Sequence, residues 1–291
     1  MTMRCTEETL SLRDGALLYC RTWKPDIQGR SSASSAGRLL LVHGLGEHSG
    51  RYDALARRWV EQGWEVFAWD HRGHGLSSGK RGVLTSEDQL LSDMVELLEA
   101  REWGESATRT VLLGHSLGGL LVARFFAEAL RVPDSSIGRL AERFHSAVLS
   151  SPALQIRLNR LERFLIRTLG VIHPTFTVSN GLRPDWICSR PDVVEAYRRD
   201  ARVHSRICGN LARFMLSSAR IVQEMERKWE KPTLCLYSTI DRCVDPAGTS
   251  RFCRSVPAGV VQAHASDRLR HEVLNEGDFE VEQQLMRFLV G

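Results

Sequence analysis

The chain has 291 residues, 43% of them hydrophobic and 25% charged, with a formal net charge of +4. That composition is ordinary for a globular protein able to bury a sizeable core, and it excludes a disordered or collagen-like chain. So balanced a charge excludes a nucleic-acid binder held by its overall field, no stretch approaches an uninterrupted apolar membrane span, and Met1–Leu10 lacks the apolar run of a signal peptide.

In chain order, Ser11–Trp23 predicts a β-hairpin turning at Asp14-Gly15. Gly29–Gly37, almost entirely Ser, Ala and Gly, predicts a flexible loop inside the domain. Strands and helices then alternate: strand Arg38–His43, helix Arg51–Gln62, strand Trp64–Trp69, helix Glu87–Trp103, strand Arg109–Gly114, helix Leu117–Arg131, strand Ser146–Ser150. Such alternation implies right-handed crossovers and a mostly parallel, doubly wound sheet. It stops after Ser151-Pro152, where helical periodicity, arginine-rich faces and Pro/Gly breaks take over without a clear strand. The sheet pattern resumes at Pro232–Ser238, continues at Gly259–Ala263 and closes with a helix over Phe279–Val290. The expected fold is α/β, with core segments 1–151 and 230–291 and a helical cap inserted over 152–229.

Gly114-His115-Ser116-Leu117-Gly118 lies between a predicted strand and a predicted helix. In that setting Gly-x-Ser-x-Gly makes a strained turn that lifts a serine hydroxyl above the sheet. Ser116 is therefore the candidate nucleophile, and it requires a base within hydrogen-bond reach. Among ten histidines, His271 occupies the loop between the last strand and the last helix, whereas His264 falls at the strand's end, slightly early. The acid that orients the imidazole should follow the strand ending near Ser238, where Asp241 and Asp245 both qualify. Asp245-Pro246 reads as an N-cap with proline in the first turn, which leaves Asp241 for the triad. For the oxyanion, the backbone N–H of Leu117 follows the nucleophile. A second N–H, best assigned to Leu45, comes from His43-Gly44-Leu45-Gly46, in which His43 reads as a structural hydrogen-bonding residue.

Four stretches make the chain resemble the monoacylglycerol lipases and related lysophospholipases of the α/β-hydrolase fold: His43–Tyr52, Asp70–Ser77, Gly114–Gly119 and His271–Glu276. Arg190–Tyr197 and Asp200–His204 in the cap are also similar to the family. The resemblance implies Ser116, Asp241 and His271 as the triad and the Leu45 and Leu117 amides as the oxyanion hole, with no metal or organic cofactor. Two places depart from the family pattern: Ala201-Arg202, where Pro-Leu is usual, and the more basic Arg268-Leu269-Arg270.

The expected function is hydrolysis of the acyl ester of a monoacylglycerol or lysophospholipid through an acyl-enzyme. The alternatives are a small-ester esterase, acyltransferase or peptidase on the same scaffold, and a binding module that has lost its chemistry. Leu154, Leu158, Leu161, Leu165 and Leu169 fall at helical spacing, with Arg157, Arg160, Arg163 and Arg167 on other faces. Segment 152–228 holds 13 Arg and one Lys against seven acidic residues. Such a helix either docks peripherally on an anionic lipid surface or packs its leucines on the core beneath solvated arginines. The seven cysteines, odd in number, scattered and without a CxxC pair, read as small buried side chains of a reducing, cytoplasmic compartment.

Overall fold

In the computed structural model, residues 3–26, 35–101, 109–157, 166, 168 and 171–290 are described. The strands among them are β1 (Met3–Ser11), β2 (Leu17–Pro25), β3 (Gly37–Val42), β4 (Trp64–Trp69), β5 (Thr110–His115), β6 (Ser146–Ser150), β7 (Thr177–Ser179), β8 (Arg206–Cys208), β9 (Thr233–Ser238) and β10 (Val261–Ser266). The α-helices are α1 (Asp53–Glu61), α2 (Gln89–Ala100), α3 (Leu117–Arg131), α4 (Ser136–Glu142), α5 (Pro191–Arg199), α6 (Gly209–Met225), α7 (Pro246–Ser255) and α8 (Phe279–Val290).

Eight strands form one sheet in the order β1-β2-β4-β3-β5-β6-β9-β10. From β4 to β10 every pairing is parallel, and β1 and β2 add an antiparallel edge. This is the mostly parallel sheet of the α/β-hydrolase fold. Because successive strand side chains point to opposite faces, Leu40, Val42, Leu112 and Leu149 enter one buried cluster while Leu39, Leu41, Val111 and Val148 enter another. The first cluster is closed by α2, α3, α6 and α7 residues such as Leu97, Phe125, Phe214 and Phe252. The second is closed by α1 and α8 through Trp59, Leu285 and Phe288. Each fully buried aliphatic or aromatic side chain contributes about 1.5–3 kcal/mol.

The predicted hairpin is present, but β1 begins at Met3, well before the expected start. Its residues are largely exposed, so no alternation of apolar side chains marked it. Helix α4 was also not expected; it is short and opens on Ser135, whose side chain caps Gly138 N. The last strand runs on to Ser266, so His264 lies inside it. In segment 152–229, β7 and β8 pair as a small antiparallel ribbon where no strand was expected. Three residues per strand are too few to show a period. Leu211, Phe214 and Val222 of α6 share the buried cluster of α3. Most of the leucine/arginine helix, from Leu158 to Leu169, and most of the Gly29–Gly37 loop lie outside the described residues.

Helix α3 lies directly against the end of β3. A Cβ on Gly118 would stand 2.1 Å from Val42 O and 2.5 Å from His43 O. Gly118→Ala is therefore expected to cost at least about 2 kcal/mol by forcing helix and strand apart. Thermal unfolding, read as a fall in Tm of roughly 4 °C or more, checks this.

Candidate active site

Ser116 sits in the turn between β5 and α3 with φ +54°, a value L-residues rarely adopt. The turn is held from several sides: Ser116 N donates to Ser150 O at 2.9 Å, and Ser116 O accepts from Leu120 N and Ala153 N at 3.0 Å. Since the peptide is trans and planar, a Ser116 carbonyl aimed into the helix sends the Leu117 N–H out of its N-terminus.

The loop after β3 comes up beside this turn. A Cβ built on Gly44 would lie 3.2 Å from the Ser116 Cβ and 2.9 Å from Glu47 Oε1. His43 Nδ1 is 2.8 Å from Gly44 O, while its Nε2 accepts from His71 N at 2.9 Å, which makes Nδ1 the protonated nitrogen. With the Gly44 carbonyl held by His43, the Leu45 N–H of the same peptide points the opposite way. Glu47 Oε1 accepts from Gly44 N at 2.6 Å and completes the loop.

His271 Nδ1 lies 2.7 Å from Asp241 Oδ2, and both side chains are buried. Asp241 Oδ1 takes the amides of Cys243 and Val244 at 2.7 and 3.2 Å. Burial works against its charge, yet His271 and these amides keep the Asp241 carboxyl below its ordinary value. Burial alone would lower the His271 pKa, but the Asp241 carboxylate, with Glu272 and Glu47 behind it, holds it above the usual imidazole value. Asp245, the rival acid, caps α7 through Ala247 N at 3.1 Å and accepts from Gln155 at 2.7 Å. The His271 ring is 4.8 Å from that of His115, the neighbour of Ser116. Ser151, itself at φ +42°, donates from Oγ to His271 O at 2.7 Å. Ser116, Asp241, His271, Leu45 and Leu117 thus gather at the carboxyl end of the sheet.

Asp241, Cys243 and His271 place potential metal-ligand atoms within 4.8 Å of one another, as do His264, Asp278 and Glu280. In the first group the His271 and Asp241 atoms already satisfy each other as a hydrogen-bonded pair.

Sequence reasoning missed the network behind the site. Glu47 and Arg51, four residues apart, meet at 2.7 Å, and Arg51 also holds Glu272, the residue after His271. The i, i+4 spacing of opposite charges was a legible signal; the partner some 220 residues away was not. The two departures from the family pattern find internal partners. Arg202 pairs with Asp200 at 3.0 Å, and Arg270 donates to Asp185 O at 2.6 Å and Cys188 O at 3.0 Å.

The profile of the family described as serine aminopeptidase, S33, matches residues 33–278. The chain is 30% identical over 265 residues to a monoacylglycerol lipase of Mycolicibacterium smegmatis, covering 90% of this chain and 88% of that protein. It is 29% identical over 280 residues to an uncharacterized abhydrolase domain-containing protein of Dictyostelium discoideum, of whose length it spans only 28%. The solved structure of a Paleococcus ferrophilus monoacylglycerol lipase superposes with a TM-score of 0.78 at 27% identity, covering 100% of this chain and 99% of that one.

Behind the loop after β3, the rings of His43, His71, His74 and His204 pack in a tilted, edge-to-face chain with successive separations of 4.0 to 5.9 Å. Burial pushes His43, His115 and His204 down to about 4, and His71 and His74 well below the ordinary imidazole value. A depressed imidazole favours the fold above its unfolded pKa near 6.5 and loses that contribution as pH falls toward the folded value. His271, raised, works oppositely: its contribution is present below about 6.5 and fades as pH rises through its folded pKa. The five depressed rings outnumber it. Unfolding at pH 5.5 is therefore expected to take up about three or more protons, seen as a steep fall of urea stability between pH 6.5 and 5. A flat profile there would contradict the burial of neutral rings.

Proposed function

The chain belongs to the serine aminopeptidase S33 family and to the monoacylglycerol lipase-like ester hydrolases, and from that membership we propose that it cleaves the acyl ester of a monoacylglycerol or lysophospholipid. The observation that carries the mechanism is the buried 2.7 Å Asp241–His271 pair, set at the end of the sheet that presents Ser116 at positive φ. In this reading His271 Nε2 takes the Ser116 proton as Oγ attacks the ester carbonyl. Asp241 fixes the tautomer and steadies the imidazolium. The Leu45 and Leu117 amides receive the oxyanion, each worth roughly 3 kcal/mol or more. His271 returns the proton to the departing alcohol, and water then releases the fatty acid by the same steps in reverse.

Segment 152–229 serves as the cap over an acyl pocket. About ten buried methylenes supply roughly 8 kcal/mol of gross affinity, so the chain sets binding and the headgroup discriminates. The Asp200 carboxylate already neutralises Arg202, which supports a neutral glycerol over a phosphate headgroup. The family description motivates a second reading, aminopeptidase activity.

Among the described residues no helix is long and apolar enough to cross a membrane. Val171, Ile172, Phe176 and Val178 of the cap nevertheless stand exposed, at 58, 66, 69 and 52%. Together with the arginine excess of this segment, they support peripheral contact with an anionic lipid surface.

Ser116→Ala is expected to lower hydrolysis of 1-monooleoylglycerol and of a short p-nitrophenyl ester by ~10³-fold or more without changing the circular dichroism spectrum. Wild-type rates should rank monooleoylglycerol above lysophosphatidylcholine and above the short ester. Faster turnover of an aminoacyl p-nitroanilide would instead establish the peptidase reading. The double variant Ile172→Ser/Phe176→Ser should cosediment less with phosphatidylglycerol vesicles while keeping short-ester turnover; undiminished cosedimentation would remove the cap from the membrane contact.

A further inference from the structure

Two of the stretches that carry the family resemblance contain charges no catalytic step uses: Glu47 and Arg51 in the oxyanion-loop stretch, and Glu272 after the histidine. The structure joins them. Arg51 Nη1 donates to Glu47 Oε2 at 2.7 Å and to Glu272 Oε1 at 2.6 Å, and Nη2 donates to Glu272 Oε2 at 2.9 Å. All three side chains are buried, at 9, 3 and 5% exposure. Glu47 Oε1 in turn takes Gly44 N at 2.6 Å and Tyr52 Oη at 2.6 Å. The guanidinium also lies 4.8 Å from the Tyr197 ring of α5.

We propose that Arg51 is a positioning residue that locks the oxyanion loop to the catalytic-histidine loop and compensates the two carboxylates standing behind His271. The inference rests on the hydrolytic reading above and deepens it. Through Glu47 the clamp reaches the Gly44 peptide, next to the amide of Leu45; through Glu272 it reaches the backbone of His271. Bidentate Arg–carboxylate pairing is planar and directional, so it transmits position as well as charge.

The charge role has a sign. The groups facing His271 are Asp241 at 2.7 Å, Cys243, the His115 ring at 4.8 Å, and the Glu272–Arg51–Glu47 set behind them. Glu272 and Glu47 each favour the imidazolium, and Arg51 opposes it. Removing Arg51 leaves two carboxylates uncompensated, so the base is neutral only at higher pH. Each keeps other donors: Gly44 N and Tyr52 Oη for Glu47, and Asn275 Nδ2 at 2.9 Å for Glu272. Removing Glu272 instead leaves Arg51 with one carboxylate and shifts the balance the other way.

The test measures kcat/KM against pH on a soluble short-chain ester for wild type, Arg51→Met, Arg51→Lys and Glu272→Gln, with Tm and circular dichroism alongside. Arg51→Met is expected to lose tenfold or more in kcat and to move the acid limb up by roughly half a unit or more. Glu272→Gln should move the same limb down, and Arg51→Lys should recover most of the wild-type profile. Opposite shifts support the inference. Limbs that stay put, or move together while Tm falls, would make Arg51 a structural strut and overturn it. If Arg51→Met does not fold, the comparison of Glu272→Gln with wild type decides on sign alone. NMR titration of the His271 ring reads the same shifts without turnover. Lack of any Ser116-dependent hydrolysis by wild type would therefore sink the functional reading, and unmoved titrations only the clamp.

Discussion

The backbone at Ser116 is the constraint on which the other elements depend. A serine at φ +54° is strained by about 1–3 kcal/mol and persists only where its surroundings over-determine it. Here they do so through Ser150 O, Ala153 N and the helix that starts at the next residue. The same turn sets how close α3 approaches the sheet. Gly118 puts the helix backbone against the carbonyls of Val42 and His43, and those carbonyls begin the loop that carries Leu45. Ser116 and the amides of Leu45 and Leu117, the candidate nucleophile and oxyanion donors, are thus placed by one packing contact and not by two independent loops. The chain spends its local strain where a hydroxyl must stand clear of its own backbone.

Around that turn the protein sorts its ionisable groups into two kinds of environment. On the His43 side, imidazoles pack against one another and are kept neutral by burial, serving as fixed hydrogen-bonding struts. On the His271 side, a histidine, a guanidinium and backbone amides hold the buried Asp241 and Glu47 carboxyls below their ordinary values. His271 alone among these rings is raised against burial by direct carboxylate contact, the behaviour a candidate general base requires. The separation lets one small volume hold six histidines with only one of them poised to titrate upward. It also explains why His43, though next to the oxyanion loop, acts through its two hydrogen bonds and not as a second base.

What the sequence disclosed depended on whether an element's signal was local. Strand Trp64–Trp69 and helices Leu117–Arg131 and Phe279–Val290 were legible to the residue because apolar periodicity and flanking glycines act within a few positions. Ser116 was legible because a turn of that kind leaves a five-residue imprint. The Asp245-Pro246 cap was legible by a local rule too, and the structure sets Asp241, not Asp245, beside His271. The edge strand β1 was not legible, since an exposed strand gains from backbone pairing that any side chain permits. The Arg51 bridge was half legible: the Glu47 spacing could be read, but Glu272 is brought to it only by the closing of the whole sheet.

The same reasoning bears on the two departures from the family pattern. Nothing in the sequence reveals what Arg202 or Arg270 pairs with. In the fold, Arg270 spans the carbonyls of Asp185 and Cys188, while Glu272 N donates to Ile187 O at 2.7 Å and Glu276 accepts from Ser189 N at 2.9 Å. These contacts fasten segment 185–189 to both sides of His271. On the opposite flank, Asp200 joins His48 at 2.8 Å and Arg202 at 3.0 Å, and His204 N meets Gly46 O at 2.8 Å. Arg202 faces a carboxylate, whereas Arg270 engages its two carbonyls through Nη1 alone. Arg270 thus helps to hold residues 185–188 beside the loop that carries His271.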